Sequence, residues 1–207
     1  MTTAATTAER TQDRELRTQG LDTLDRLLQA GADIFGEMGY HALTVDDVAR
    51  RADTSRGTFY LYFSNKDDLL RVLAETVTVD AEKVLDAMPV ITRDAQGSEN
   101  LRAWLSEFTT FYLKYGGVIR AWQEAQNTLQ FAEFGVHVLT DFMQKLNTAI
   151  SGGLSNRAAN PDIAAMALIA MLERFNFLLA SGMVKVDSDE MLDTLTAVIH
   201  RGFFGAD

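Results

Sequence analysis

The stretch from Thr44 to Leu70, TVDDVARRADTSRGTFYLYFSNKDDLL, holds the residue types best suited to chemistry. That chemistry is hydrogen bonding to an ordered polyanion. Ser55 can open a short helix whose first turn is Arg56, Gly57 and Thr58, followed by Tyr60 and Tyr62. An arginine there offers two parallel donors that match guanine, and a threonine can hydrogen-bond or touch a thymine methyl. Gly57 lets the backbone come close to a ligand. Tyr60 and Tyr62 would leave their hydroxyls for phosphates while Phe59 and Phe63, one turn apart, anchor the opposite face. Thr44 and Lys66 stand at helix starts, where unpaired amides favour a phosphate oxygen. A second short helix of this kind offers its first turn to base edges in a major groove. The plain alternative is a helical hairpin inside a bundle, which would leave Arg56, Tyr60 and Tyr62 idle on an exposed face.

Other chemistries lack their residues. With no cysteine, disulfides, thiol catalysis and thiolate metal sites are excluded. His41, His137 and His200 lie far apart with no H-x-x-x-H pair, so no metal site is expected. No nucleophile elbow, phosphate-binding glycine loop or dinucleotide fingerprint is present. Acidic pairs such as Asp46-Asp47 and Asp67-Asp68 sit in first turns, where the helix dipole alone accounts for them. No catalytic constellation emerges, and an all-helical enzyme built on Glu124, His137 or Asp141 ranks far behind a binding protein.

The elements that must position these residues are helices. Most apolar residues recur at intervals of three and four, and no sustained alternation marks a strand. Residues 1–17 read as a mobile arm, followed by a helix with Leu21, Leu24, Leu28, Gly31, Phe35 and Met38 in one stripe, stopping near Gly39. Thr44 with Asp47 is a capping box for a short helix burying Val45, Val48, Ala49 and Ala52. Ser55 caps the next helix. Ser64 with Asp67 caps a long one running to Pro89, with Leu70, Leu73, Val77, Val84 and Met88 inward. Residues 91–99 read as a loop, and further helices are expected near 100–115, 118–129, 131–151, 161–181 and 188–203. The total is about nine. Asn160-Pro161-Asp162 and Ser188-Asp189-Glu190 are strong start signals.

The Thr44–Leu70 stretch, with GYHALTVDDVA before it, closely resembles the DNA-binding segment of the tetracycline-repressor (TetR) family of transcriptional regulators over residues 20–75. The resemblance implies an all-α chain with an N-terminal three-helix helix-turn-helix unit and a C-terminal helical domain that dimerises and binds a small effector. On that basis the boundaries are 18–63 for DNA binding, 64–88 for a linking helix and 89–207 for the effector and dimerisation domain. Thr44, Arg56, Thr58, Tyr60, Tyr62 and Lys66 fall where the family usually touches DNA. One departure matters. The turn commonly carries glycine and an apolar residue, whereas here it is Asp53-Thr54. Aspartate enters the left-handed region readily, so the turn survives, but its charge opposes phosphate.

Net charge is a sterner test. The chain carries 19 basic and 29 acidic residues, −10 at neutral pH, and should not coat nucleic acid or anionic membranes indiscriminately. Residues 1–75 are net −4, yet residues 50–71 are net +2 through Arg50, Arg51, Arg56, Lys66 and Arg71. A weakly positive patch on an acidic protein predicts poor non-specific affinity and dependence on a defined site. Arg10, Arg14 and Arg17 are offset by Glu9, Asp13 and Glu15, so the arm reads as a solvated tail.

In the second half, nine of the 19 aromatic residues fall between Leu101 and Phe142. Trp104, Phe108, Phe111 and Tyr115 recur at helical spacing. For each of these core packing is the bland reading. The sharper one is a hydrophobic effector pocket formed by Trp104, Phe108, Phe111, Tyr112, Trp122, Phe142 and Asn176, with Glu124, Gln126 and His137 as further polar groups and methionines as adaptable lining. The helix from Asp162 is apolar on more than one face, and the last aligns Met191, Leu192, Leu195, Val198, Ile199 and Phe203. A second subunit can complete them, as the resemblance implies, or they form this chain's own core. A twofold dimer would place two reading helices about 34–36 Å apart on a near-palindrome.

The longest unbroken apolar run, Ile163–Leu172, is too short to span a bilayer and the start is polar, so no membrane association is expected and the location reads as cytoplasmic. The leading function is a dimeric repressor released from a palindromic operator by a small hydrophobic effector, with no cofactor. The alternative is a helical ligand-binding or sequestering protein that does not bind DNA.

Overall fold

The computed structural model describes residues 3–125, 140, 144, 160–181 and 185–205, with side chains from residue 19 onward apart from 161 and 162. Its described elements are α-helices: α1 (Thr3–Ala42), α2 (Val45–Arg51), α3 (Arg56–Tyr62), α4 (Lys66–Asp86), α5 (Ala95–Ala125), α6 (Pro161–Ala180) and α7 (Ser188–Phe204). Among the described residues seven helices stand where about nine were expected. Two of the expected nine, near 100–115 and 118–129, are one helix, because Gly116-Gly117 does not break α5. Of the helix expected near 131–151, only residues 140 and 144 are described, both helical, and the rest lies outside the described residues.

Two compact units emerge, the first of Met1–Glu75 with Gly117–Ala125, the second of Thr76–Gly116 with Gln126–Asp207. In the first, α1 reaches back to Thr3, so helical backbone runs through the stretch read as an arm. The alanines, glutamates and arginines there are good helix formers. The buried face of α1 is Leu27, Ala30, Gly31, Ile34 and Phe35, whereas Leu21 and Met38 are exposed. The stripe is rotated from the one read in the sequence, since both faces carry leucine and only packing chooses between them. Gly39 ends the regular helix at φ 78°, a left-handed value that costs glycine nothing.

The tail of α5 closes this unit. Gly117 faces Gly36 so tightly that a Cβ on Gly117 would stand 2.5 Å from the Gly36 Cα. The Arg120 guanidinium donates to the carbonyls of Phe35 and Gly36, while a Glu124 carboxylate oxygen accepts from the Tyr40 amide at 2.8 Å. Cation and anion thus satisfy backbone groups freed where α1 breaks. Glu124 is thereby spent within the fold, which corrects its expected place beside an effector.

In the second unit α5 starts at Ala95, inside the expected loop, because Asp94 accepts from the Gly97 amide and from the Thr92 hydroxyl. These bonds hold the Asp94 carboxyl below its ordinary range, the Thr92 hydroxyl first. The core collects Leu101, Trp104, Leu105, Phe108 and Tyr112 of α5 with Ala165, Leu168 and Leu172 of α6 and Leu192, Leu195, Ile199 and Phe204 of α7. Asp187 caps α7 through the Asp189 and Glu190 amides, one residue before the start read from Ser188. By length and composition alone, Ile163–Ala180 passes the test for a bilayer span, with mean hydropathy 1.7. The expectation of no such helix rested on an unbroken apolar run, which Glu173 and Arg174 interrupt.

Candidate nucleic-acid interface

Two caps and one turn fix the reading region. The Thr44 hydroxyl accepts from the Asp47 amide and starts α2, and the Ser55 hydroxyl accepts from the Thr58 amide at 3.0 Å and starts α3. Between them Asp53 takes φ 50°, and the Thr54 amide returns to the Ala49 carbonyl at 2.9 Å. Arg26 of α1 donates to the Ala52 carbonyl at 3.0 Å and to that of Asp53 at 3.5 Å, tying the turn to the first helix. Beneath α3 lie Phe59 and Phe63, both buried, their rings 5.4 Å apart. The start of α4 differs from the expected Ser64–Asp67 box. Asn65 accepts from the Asp67 and Asp68 amides, and Asp68 reaches back to the Ser64 amide at 3.0 Å. That backbone bond, ahead of Arg71, holds the Asp68 carboxyl below its ordinary range.

The candidate residues fall into two groups. Arg56, Gly57 and Tyr60 share the outer side of α3, with Tyr60 46% exposed. The Arg56 guanidinium donates to the Tyr60 hydroxyl at 3.2 Å and pairs with Asp46 at 3.2 Å, and these contacts raise its pKa, the tyrosine bond first. Both are surface contacts worth little in water and available for exchange. Thr58 and Thr44 are occupied with their caps but sit at the helix starts.

Tyr62 and Lys66 are not presented as the sequence suggested. The Tyr62 hydroxyl donates to the Gly20 carbonyl at 3.0 Å. The Lys66 ammonium donates to the Tyr40 carbonyl at 2.9 Å and the Leu43 carbonyl at 3.4 Å, 4.4 Å from the Tyr40 ring centroid. Tyr62 ties the end of α3 to the middle of α1, and Lys66 ties the start of α4 to the end of α1. Tyr40 itself donates to Asp67 at 2.7 Å, and burial together with that carboxylate pushes its phenol up to about 12.

Leu61 was missed altogether. It is 82% exposed on the face of α3 opposite the phenylalanines. The signal available was its place two residues beyond Phe59.

The effector candidates separate similarly. Trp104, Phe108, Phe111 and Tyr112 form a ladder along α5 with neighbouring ring centroids 5.5 to 6.5 Å apart, and the Trp104 indole donates to the Val84 carbonyl at 2.8 Å. Asn176 is fully buried. Its amide donates to the Leu172 carbonyl at 2.8 Å, and its Oδ1 has no partner. Thr109, unnoticed in the sequence, is also buried with its hydroxyl oxygen unpartnered. Trp122 belongs to the first unit, away from the ladder's own. Phe142, Gln126 and His137 lie outside the described residues.

Residues 27–73 match the family of bacterial regulatory proteins called the tetR family. That tetR-family segment holds α2, α3 and the first turns of α4. The chain is 28% identical over 202 residues to the HTH-type transcriptional regulator EthR of Mycobacterium tuberculosis, covering 93% of this chain and 92% of that one. Among solved structures it is similar to the transcriptional regulator FadR of Bacillus subtilis in complex with stearoyl-CoA. The TM-score is 0.68 at 20% identity, covering 87% of this chain and 99% of that one. It is likewise similar to NalD of Pseudomonas aeruginosa, the secondary repressor of a multidrug efflux pump, with TM-score 0.69 and 18% identity over 90% and 98% of the two chains. The relatives that match it over nearly its whole length are named as transcriptional regulators.

Proposed function

We propose that this regulator is a cytoplasmic homodimeric repressor whose α2–α3 pair reads a near-palindromic operator and whose second unit holds a small hydrophobic effector. The observation that carries the operator reading is the two-sidedness of α3. Phe59 and Phe63 anchor one face while Arg56, Gly57 and Tyr60 stand outward within the tetR-family segment. The helix-turn-helix unit is α1 to α3, closed by the first turns of α4. Thr44, Arg56, Gly57, Thr58 and Tyr60 meet DNA, and Tyr62 and Lys66 support the presenting helices.

The effector reading rests on the α5 aromatic ladder and on two buried acceptors without partners, Asn176 Oδ1 and Thr109 Oγ1. A buried unpaired polar atom costs about 1–3 kcal/mol, and a ligand donor removes that cost. Apolar walls with few polar groups suit an acyl or aromatic molecule, and stearoyl-CoA in the FadR structure is a relevant precedent. The effector acts by binding the off-DNA state more tightly.

Selection of fragmented source genomic DNA on purified protein at physiological salt tests the operator reading. Enrichment of one near-palindrome is the expected result. A folded, ligand-stripped chain that enriches nothing would favour the sequestering alternative.

A further inference from the structure

Within this DNA-reading proposal, α3 carries one feature that internal packing does not explain. At about 100° per residue, Gly57 and Leu61 both lie roughly 160° from Phe59, along the outermost line of the helix. Leu61 is 82% exposed, the most exposed of the large hydrophobic side chains among the described residues. Gly57 is not required by the fold. Its φ is not left-handed, and a Cβ there would meet only the Ser55 hydroxyl at 3.5 Å, an ordinary contact. Glycine in a helix nevertheless disfavours it by about 1 kcal/mol relative to alanine. An outward glycine and an outward leucine on one ridge therefore both lack a reason inside the protein.

Helical side chains lean toward the N-terminal turn, so Leu61 leans over the space that Gly57 leaves empty. That makes an apolar notch flanked by Arg56 and Tyr60, whose polar ends suit a groove wall. We propose that Leu61 is a specificity-determining residue that packs its methyls against the 5-methyl group of one thymine in each half-site, with Gly57 giving the base edge room to approach. The major groove displays that methyl on thymine alone. A partner protein is disfavoured for this patch because a single leucine flanked by Arg56 and Tyr60 offers far less apolar area than a stable interface needs.

Deoxyuridine is the probe, since it pairs as thymidine does and lacks only the methyl. Starting from the selected operator duplex, each symmetry-related thymine pair is replaced in turn, and binding is measured for the full-length dimer and for Leu61→Ala. For the wild type, replacement at one pair is expected to weaken binding about fourfold per half-site, the worth of one buried methyl. Leu61→Ala should bind the thymine duplex about as weakly as the wild type binds the uracil duplex, and should not respond to the replacement. Leu61→Ser gives the same comparison with a side chain that also cannot fill the notch. Because Leu61 is exposed, both variants should melt as the wild type does, which checks that they are folded. Equal losses for wild type and variant, or no loss at any position, would overturn the assignment while leaving operator binding intact. A chain that selects no duplex would overturn the operator reading, and this inference with it.

Discussion

The outward residues of α3 show how far a side chain's type reveals its use. Gly57 is the sharpest case, because the fold and the proposed ligand demand opposite residues there. Gly57→Ala adds a Cβ that meets only the Ser55 hydroxyl, at an ordinary 3.5 Å, so it should stabilise the folded chain by about 0.5–1 kcal/mol in chemical denaturation. The same Cβ would occupy the notch beneath Leu61, so operator affinity should fall. An alanine variant that is more stable and binds as tightly would show that no base edge approaches that close. Arg56 and Tyr60 were legible as a pair because residues four apart share one side of a helix, and there the Arg56 guanidinium meets the Tyr60 hydroxyl. Tyr62 and Lys66 were not, since their acceptors, the Gly20, Tyr40 and Leu43 carbonyls, lie 23 to 42 residues away. Sequence type announced a hydroxyl and a cation, but only tertiary packing determined whom they serve.

Among the elements, α4 and α5 each contribute residues to both units, with breaks in membership at Glu75/Thr76 and Gly116/Gly117. Within the second unit they are tied at Asp80, whose carboxylate accepts from Lys83, Tyr115 and Lys114. Those donors, Lys83 first and Tyr115 next, hold the Asp80 carboxyl far below its ordinary range. A depressed carboxyl contributes stability that is fully present above the unfolded value, near 3.9, and lost as pH falls through the folded one. The gap in unfolding free energy between wild type and Asp80→Asn should therefore be constant from neutral pH down to about 5 and narrow below about 4. Urea titrations at several pH values read it, and a gap that does not change on acidification would remove Asp80 as the tie. The helix ends near Thr44, Gly39 and Asn160 were readable because a cap is a local event. The continuity of α5 was not, because a glycine pair looks like a break until Gly36 is found opposite Gly117. The rotation of the α1 stripe escaped for the same reason, since Leu21 and Leu27 differ only in what they meet.

For the molecule as a whole, α6 presents an apolar stripe that one copy of the chain does not cover. One copy of the chain leaves Ile163 63% and Met166 60% exposed, with Ala167 and Ala170 continuing the same stripe and Val198 of α7 also exposed. Contiguous apolar surface of this kind is rare on a monomer and marks a contact surface. A bilayer is a poor occupant, because Glu173 and Arg174 fall within the apolar stretch and burying charges in hydrocarbon is expensive. A second copy is the better one, since a twofold axis sets the same stripe against itself without any new surface. Ile163→Glu combined with Met166→Glu would put four carboxylates into that contact. Sedimentation should then shift from twice the 22.9 kDa chain mass to the chain mass itself, with helix content unchanged because both positions are exposed. The operator supplies a second readout. A dimer engages two half-sites with one association step, so the monomeric variant should bind a single half-site as the wild-type head does yet lose the gain from the second. If the double variant remained dimeric, the stripe on α6 would not be the interface. If it became monomeric but held the full palindrome with undiminished affinity, the two heads would be acting independently, and the twofold arrangement would have no part in recognition.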